Sequence, residues 1–442
     1  MARYDVEKIN KVLAKVLKEI KPSKDEEMKL SSFTAEHIKV LNLKLEKIGA
    51  IAVLGGSGAK KTWLSGNHDL DIFVKFDYEK YKSENDDLSN ILSVILESIY
   101  GKECVRVHGS RDYFQVQIDG FFMEFVPVLD ITGPEDALNI TDVSPMHAEW
   151  VSWMVDKSKE VKGSENKGIE DQVRLTKAFC RANNLYGAES FVLGFSGYIC
   201  EILTIYYGSF FNLLESSIAW TEKDVIDPRK YYPKRAELFA KLNSEKTKSP
   251  LIIIDPVQKD RNAAAALSKE KFVQFKKLAN EFLENPDYSF FVKKELTVKE
   301  LKKNAGDNLL FIVSASPLEG KIDVIGSKLF KVFEFIQSNL KRNEFITADA
   351  GWQWDKKNEA LFWFILDKKE LSGKVKRMGP PVKHKVFFED FKKKHGDDVV
   401  IENNRSYANL KREFTKPQQL FNWLKKDNYI NTRVKDLRIV NE

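Results

Sequence analysis

The chain has 442 residues, 43% of them hydrophobic and 31% charged, so it can build several packed cores and has no long segment polar enough to stay unfolded. Its formal net charge of +6 is small for this size and favours a polyanionic partner only weakly. Cys104, Cys180 and Cys200 lie far apart, with no CxxC pair and no clustered histidines, which argues against a structural zinc site. With no signal-like segment over Met1 to Asn10, the expectation is a reduced, cytoplasmic protein. The longest apolar stretch, Phe191 to Leu214, is interrupted by Gly197, Glu201 and Gly208 and reads as buried helix, so no membrane contact is expected.

Residues 3–22 carry Val6, Ile9, Val12, Leu13, Val16, Leu17 and Ile20 at helical spacing and stop at Pro22, and a second helix is expected from Glu36 to Ile48. The period then changes. Ile51 to Leu54 is a short apolar strand running into Gly55-Gly56-Ser57-Gly58, and Asp69 to Phe76 alternates strictly. Phe114 to Ile118 and Phe121 to Leu129 are further strands joined by the tight turn Asp119-Gly120. Residues 1–150 thus read as a helix-plus-sheet unit, and 151–300 as a mainly helical one with helices at Val173 to Asn183, Ser196 to Tyr207, Ser209 to Thr221 and Ser268 to Glu284. From about Asn308 the order is strand (Leu309 to Val313), helix (Lys328 to Leu340), strand (Phe345 to Ala350) and strand (Ala360 to Leu366). That order fits a split βαβ sandwich over 301–442. Beyond Gly373 the chain has 17 Lys plus Arg against 9 acidic residues, together with Phe, Tyr and Trp. This composition suits either a nucleic-acid surface or a solvated helical face.

Enzymes that extend a nucleic acid by phosphoryl transfer need divalent ions held by carboxylates, with coordination positions left for water and phosphate. Asp69 and Asp71, two apart on a strand, put both carboxylates on one face, roughly 7 Å apart at the backbone, while Leu70, Ile72 and Val74 fill the other. A third ligand must come from a neighbouring strand. Glu124 is the candidate, as the one acid inside the apolar run Phe121 to Pro127, where it is costly to bury without a cation or hydrogen-bond partners. Upstream, Gly56-Ser57 follows a strand at a point where small residues let backbone amides approach a triphosphate. The loop is not a Walker A motif, because the position before Lys61-Thr62 is Lys60 rather than glycine.

Several ordered motifs accompany these residues. They are Gly56-Ser57 through Ala59 to Gly66 and Asp69-Leu70-Asp71, Met123 to Pro127, Val173 to Lys177, Leu185 to Glu189, Gly194 to Tyr198, Tyr206 to Phe210, Asp255-Pro256-Val257 with Arg261-Asn262, and Arg377 to Pro380. In this order they resemble the archaeal-type, or class I, CCA-adding enzymes, which add CCA to the 3′ end of tRNA without a template. The likeness spans most of the chain and is strongest from Gly56 to Asn262.

The resemblance implies a multidomain α+β fold. A polymerase-beta-type nucleotidyltransferase head would occupy 1–150, and a helical central domain completing the NTP site would occupy 151–300. A ferredoxin- or RRM-like body would occupy 301–442, its basic tail, roughly 373–442, binding tRNA. It implies catalysis and Mg²⁺ binding by Asp69, Asp71 and Glu124, and nucleotide contacts by Gly56, Ser57, Lys60, His147, Lys177, Tyr186 and Arg261. Arg261 would face the Watson–Crick edge of the incoming base, a planar donor fork suited to cytosine and adenine. The implied partners are CTP, ATP and tRNA held by its acceptor stem and TΨC arm, and the resemblance also leaves room for a homodimer. Departures from the family pattern are Asp69 where Glu is frequent, Glu124 where Asp is usual, Gly58 and Lys60 in the loop, and a longer stretch, Ser152 to Glu170, after His147. A poly(A) polymerase or other terminal transferase sharing this metal site is the enzymatic alternative, and a non-catalytic RNA-binding scaffold the other.

Overall fold

Asp5 caps the first helix, α1 (Val6–Ile20), by accepting from the Lys8 amide, and the helix buries Ile9, Leu13 and Val16 as their spacing requires. The computed structural model describes residues 4–160, 168–293 and 296–440. They divide into two compact units, Met1–Lys294 and Glu295–Glu442.

In the first unit α2 (Lys24–Leu45) begins well before the expected Glu36. Ser23 and Glu26 form a reciprocal capping box there, and the first half of the helix buries only Leu30 and Thr34, too few to reveal an apolar period. There follow β1 (Ala50–Leu54), the single turn α3 (Gly56–Ala59), β2 (Asp69–Asp77), α4 (Tyr78–Tyr81), α5 (Leu88–Tyr100), β3 (Val105–Val107), β4 (Tyr113–Ile118) and β5 (Phe121–Asp130). The sheet order is β1-β2-β5-β4-β3, with β2 and β5 parallel and the other pairs antiparallel. Asp119 and Gly120 both take positive φ, as a tight hairpin between β4 and β5 demands. Leu70, Ile72 and Val74 point into a core with Leu41 and Leu45 of α2 and Leu92 and Leu96 of α5, which leaves the opposite face of β2 for its acids.

The chain continues through α6 (Ser144–Glu160), α7 (Ile169–Ala182), α8 (Gly197–Tyr207), α9 (Phe210–Ile218), β6 (Asp224–Ile226), α10 (Arg235–Lys241), β7 (Leu251–Ile253) and α11 (Lys269–Glu284). Ser196, Ser209 and Ser268 are N-caps whose side chains accept from the following turn, so the expected starts of α8, α9 and α11 are set by local chemistry. The short parallel pair β6–β7 was not foreseen in a helical region; its strands have three residues each, too few for a period. The α1 side chains pack with Leu175, Phe179, Phe210 and Phe282 in this helical core. Phe191 to Leu214 spans α8 and part of α9, and among the described residues no helix is long and apolar enough to cross a membrane. Of the long Ser152 to Glu170 stretch, the first part belongs to α6, and 161–167 lies outside the described residues.

The second unit runs α12 (Val298–Ala305), β8 (Leu309–Pro317), α13 (Ile322–Arg342), β9 (Thr347–Gln353), β10 (Ala360–Leu366), β11 (Lys374–Pro381), α14 (Lys385–His395), β12 (Val399–Glu402), β13 (Arg405–Lys411), α15 (Pro417–Leu424), α16 (Asn428–Asn431) and β14 (Val434–Ile439). The antiparallel order β14-β8-β10-β9 completes the split βαβ pattern with a last strand far down the chain. Between β10 and α15 is inserted a second sheet, β11-β13-β12, with α14 against it. The basic segment is therefore folded, and its final strand returns to the first sheet. Phe421 of α15 is 1% exposed and stacks on Phe311 of β8 with ring centroids 4.8 Å apart. Phe421→Ala should lower stability by about 3–5 kcal/mol, measured by chemical denaturation followed by circular dichroism.

Candidate active site

Strand geometry brings the acids together. Asp69 and Asp71 lie on one face of β2, and in the parallel register Asp71 stands directly opposite Glu124 of β5. Gln115, opposite Glu124 on β4, donates from Nε2 to Glu124 Oε1 at 2.7 Å. The turn after β1 covers this face, with the Gly55 amide donating to Asp71 O at 2.7 Å. Gly56 has φ +53°, and a Cβ there would lie 1.5 Å from Asp71 Oδ2. Only glycine fits so close to that carboxylate. Burial pushes the Asp71 carboxyl above its ordinary range, Lys60 and Lys177 pull against that shift, and Asp69 and Glu201 add to it. Among the described residues no three acidic, histidine or cysteine side chains already close into a cage. The donor set of Asp69, Asp71 and Glu124 is nonetheless all oxygen, as a hard divalent cation requires, and such an ion would relieve the burial of Asp71.

Behind the loop lies a buried charge cluster. Lys60, one residue past α3, donates to Glu201 Oε2 at 2.9 Å. Lys177 of α7 donates to Glu201 Oε1 at 2.8 Å and to Thr62 Oγ1 at 2.9 Å, and Thr62 Oγ1 donates to Glu201 Oε1 at 2.8 Å. Burial alone would raise Glu201, yet Lys177 and Lys60 together hold it down at about 2. Arg174, one turn before Lys177, is also buried and donates to the carbonyls of Lys61 and Trp63 at 2.6 and 2.9 Å. Tyr186 follows α7 in the chain. A Cβ on Gly197 would lie 2.7 Å from Tyr186 Oη and 3.8 Å from Lys177 Cε, so the glycine at the start of α8 lets these two groups sit side by side.

His147 of α6 and Arg261 meet at a second buried acid. Arg261 Nη1 donates to Asp255 Oδ2, and His147 Nε2 lies 3.1 Å from the same oxygen. Tyr198 Oη donates to Asp255 Oδ1 at 3.1 Å, and its ring centroid is 4.3 Å from that of His147. Lys60 Nζ lies 5.5 Å from the centroid of the Tyr198 ring, which links the two clusters. Ser57 is half-buried in α3, its carbonyl accepting from the Thr62 amide at 3.1 Å.

This arrangement sits in a chain with clear relatives. Residues 171–292 match the model for the second domain of tRNA nucleotidyltransferase, and 308–436 that for the C-terminal domain of the CCA-adding enzyme. The CCA-adding enzyme of Nanoarchaeum equitans is 35% identical over 82% of this chain and 84% of its own length. Those of Methanocaldococcus jannaschii and Methanosarcina barkeri are 31% and 30% identical, covering 93% and 90% of this chain and 90% and 86% of their own. The chain belongs to the CCA-adding enzyme family. It is a tRNA nucleotidyltransferase, and enzymes of this fold generally use divalent metal ions. A solved structure of Cid1, described as an RNA terminal uridylyl transferase, shares the fold at 14% identity with a TM-score of 0.50, covering 66% of this chain and 99% of that one.

Sequence reasoning gave no role to Glu201, Asp255, Arg174 or Thr62. A signal existed for Glu201, the one acid between Ile199 and Ile205, the same criterion that singled out Glu124. Asp255 lies in one of the ordered motifs, but its pairing with His147 and Arg261 depends on α6 and the loop after β7 meeting in space.

Two outcomes test the geometry. Gly56→Ala should cut turnover by about 10²-fold in a nucleotide-incorporation assay, since a misplacement of about 1 Å at reacting groups costs that much. Glu201→Gln leaves two buried ammonium groups without their anion and should cost about 3 kcal/mol by chemical denaturation. Because the folded-state value of Glu201 is depressed from 4.5 to about 2, its contribution to stability is complete above 4.5 and is lost as the pH falls toward 2. The variant's acid-unfolding curve should accordingly flatten in that window.

Proposed function

We propose that this enzyme adds C, C and A to the 3′ end of tRNA, using CTP and ATP without a template. The observation that carries the reading is Asp71 set opposite Glu124 and beside Asp69, beneath the Gly56 turn, in a chain of this family. Asp69, Asp71 and Glu124 would hold Mg²⁺. When bound, it would lower the pKa of the attacking hydroxyl and neutralise charge on the triphosphate and the departing pyrophosphate. The tRNA 3′-oxygen forms a bond to the α-phosphorus as the bond to the pyrophosphate oxygen breaks. Gly56 and Ser57 would offer backbone amides and a hydroxyl to the triphosphate. Lys60, Lys177 and Tyr186 would supply positive charge and a hydroxyl beside it, with His147 and Arg261 toward the base.

In this reading residues 1–150 perform the chemistry, 151–300 complete the nucleotide pocket, and 301–442 hold the acceptor stem and TΨC arm. Support for the last comes from α14, which buries no residue and carries Lys392, Lys393 and Lys394 in its last turn with Phe387 and Val386 exposed. Exposed lysines of this kind can pair with the phosphates of A-form RNA. The three cysteines, none in a disulfide, accord with the cytoplasm, while a homodimer rests on the resemblance alone.

Incubation with Mg²⁺, labelled CTP and ATP, and tRNA lacking CCA should yield C, C and A in order, and Asp71→Asn should abolish incorporation while tRNA binding persists. Long tails made from ATP alone on unstructured RNA would instead favour a poly(A) polymerase. Full activity of Asp71→Asn would remove the metal assignment.

A further inference from the structure

We infer that Asp255 is a positioning residue for nucleotide selection, holding the Arg261 guanidinium in one orientation and tying it to the Lys60 side of the site. The inference rests on the function proposed above. Asp255 is wholly buried, whereas the Arg261 side chain is 35% exposed. The two are joined twice, since the Asp255 amide donates to Arg261 O at 3.0 Å and Arg261 Nη1 donates to Asp255 Oδ2. The other carboxylate oxygen accepts from the amides of Val257 and Gln258 at 2.8 and 3.4 Å and from Tyr198 Oη at 3.1 Å. Asp255 therefore cannot turn without breaking its own loop, and it keeps one N–H of the guanidinium fixed on Oδ2, which narrows the positions open to the rest of the fork. Burial alone would raise the Asp255 carboxyl, but His147 and Arg261 bring it down to about 2, so it stays an anion.

A guanidinium has five N–H donors in a rigid fork and no acceptor. One donor spent on Asp255 decides where the others can point. Cytosine N3 and adenine N1 accept, while uracil N3 and guanine N1 carry hydrogens, so a fork held still rejects the latter pair by leaving donor against donor. A fork free to swing could meet the carbonyl oxygens of uracil instead. Tyr198 extends the restraint, with its hydroxyl on Asp255 and its ring 5.5 Å from Lys60 Nζ, and Lys60 in turn is held by Glu201. The base-reading fork and the cations beside Asp71 are thus parts of one connected frame.

The test uses the full chain and single-nucleotide incorporation into tRNA lacking CCA. Asp255→Asn keeps the shape and the oxygen facing the Val257 and Gln258 amides but removes the anion. It should raise the KM for CTP and lower the preference for CTP over UTP about tenfold each, with kcat changed less than about threefold and tRNA affinity unchanged. If Asp255 acts through Arg261, the double variant Asp255→Asn/Arg261→Ala should discriminate no worse than Arg261→Ala alone. Wild-type discrimination in Asp255→Asn, or a loss of kcat and melting temperature with discrimination intact, would overturn the inference. Should Asp255→Asn fail to fold, Tyr198→Phe removes one restraint at little cost to packing. It should weaken discrimination about threefold in the same sense, and an unchanged ratio would count against the inference. Failure of the unmodified enzyme to add CCA would overturn the proposed function instead, a separate result from either.

Discussion

The site depends on one carboxylate kept charged without water. Glu201 is buried on α8, and what keeps it an anion is two ammonium groups and a hydroxyl brought from elsewhere in the chain. Each member would be expensive to bury alone, because a lone charge in a protein interior loses its hydration with nothing in return. Together they fasten the loop after α3 to α7 and α8. Arg174 adds a second fastening through the carbonyls of Lys61 and Trp63, so the segment that leads into β2 is held from behind along its length.

That fastening shapes what faces the acids. The Gly56 turn sits against Asp71 so closely that no side chain could share the space, and Lys60 and Lys177 sit near enough to act on the Asp71 carboxyl. The face therefore collects negative charge at its surface and positive charge just beneath it. This distribution suits a cation and an anionic triphosphate arriving together. Asp255 repeats the principle at smaller scale, a buried anion surrounded by a histidine, a tyrosine and an arginine from three parts of the chain.

Much of this frame was legible in the sequence. Strict alternation at Asp69 to Phe76 put both acids on one face, and the helices expected from Ser196, Ser209 and Ser268 are α8, α9 and α11, each capped by that serine. The start of α2 was missed because its first half buries little, and β6–β7 because three-residue strands carry no period. In the second unit the strand-helix-strand-strand order was readable. Its closing strand, β14, was not, since the inserted sheet β11-β13-β12 separates it from β10 by more than sixty residues.

By itself the sequence determined the local matters: which residues alternate, where most of the helices run, which acids share a strand face, and through ordered motifs the family to which the chain belongs. These follow from interactions between residues a few positions apart, where backbone geometry is fixed by secondary structure alone. Only the tertiary structure decided that Glu124 lies opposite Asp71, that Lys60 and Lys177 share Glu201, and that His147 and Arg261 share Asp255. Those pairings join distant parts of the chain, and a buried charge selects its partner by proximity in the folded core, which no periodicity records.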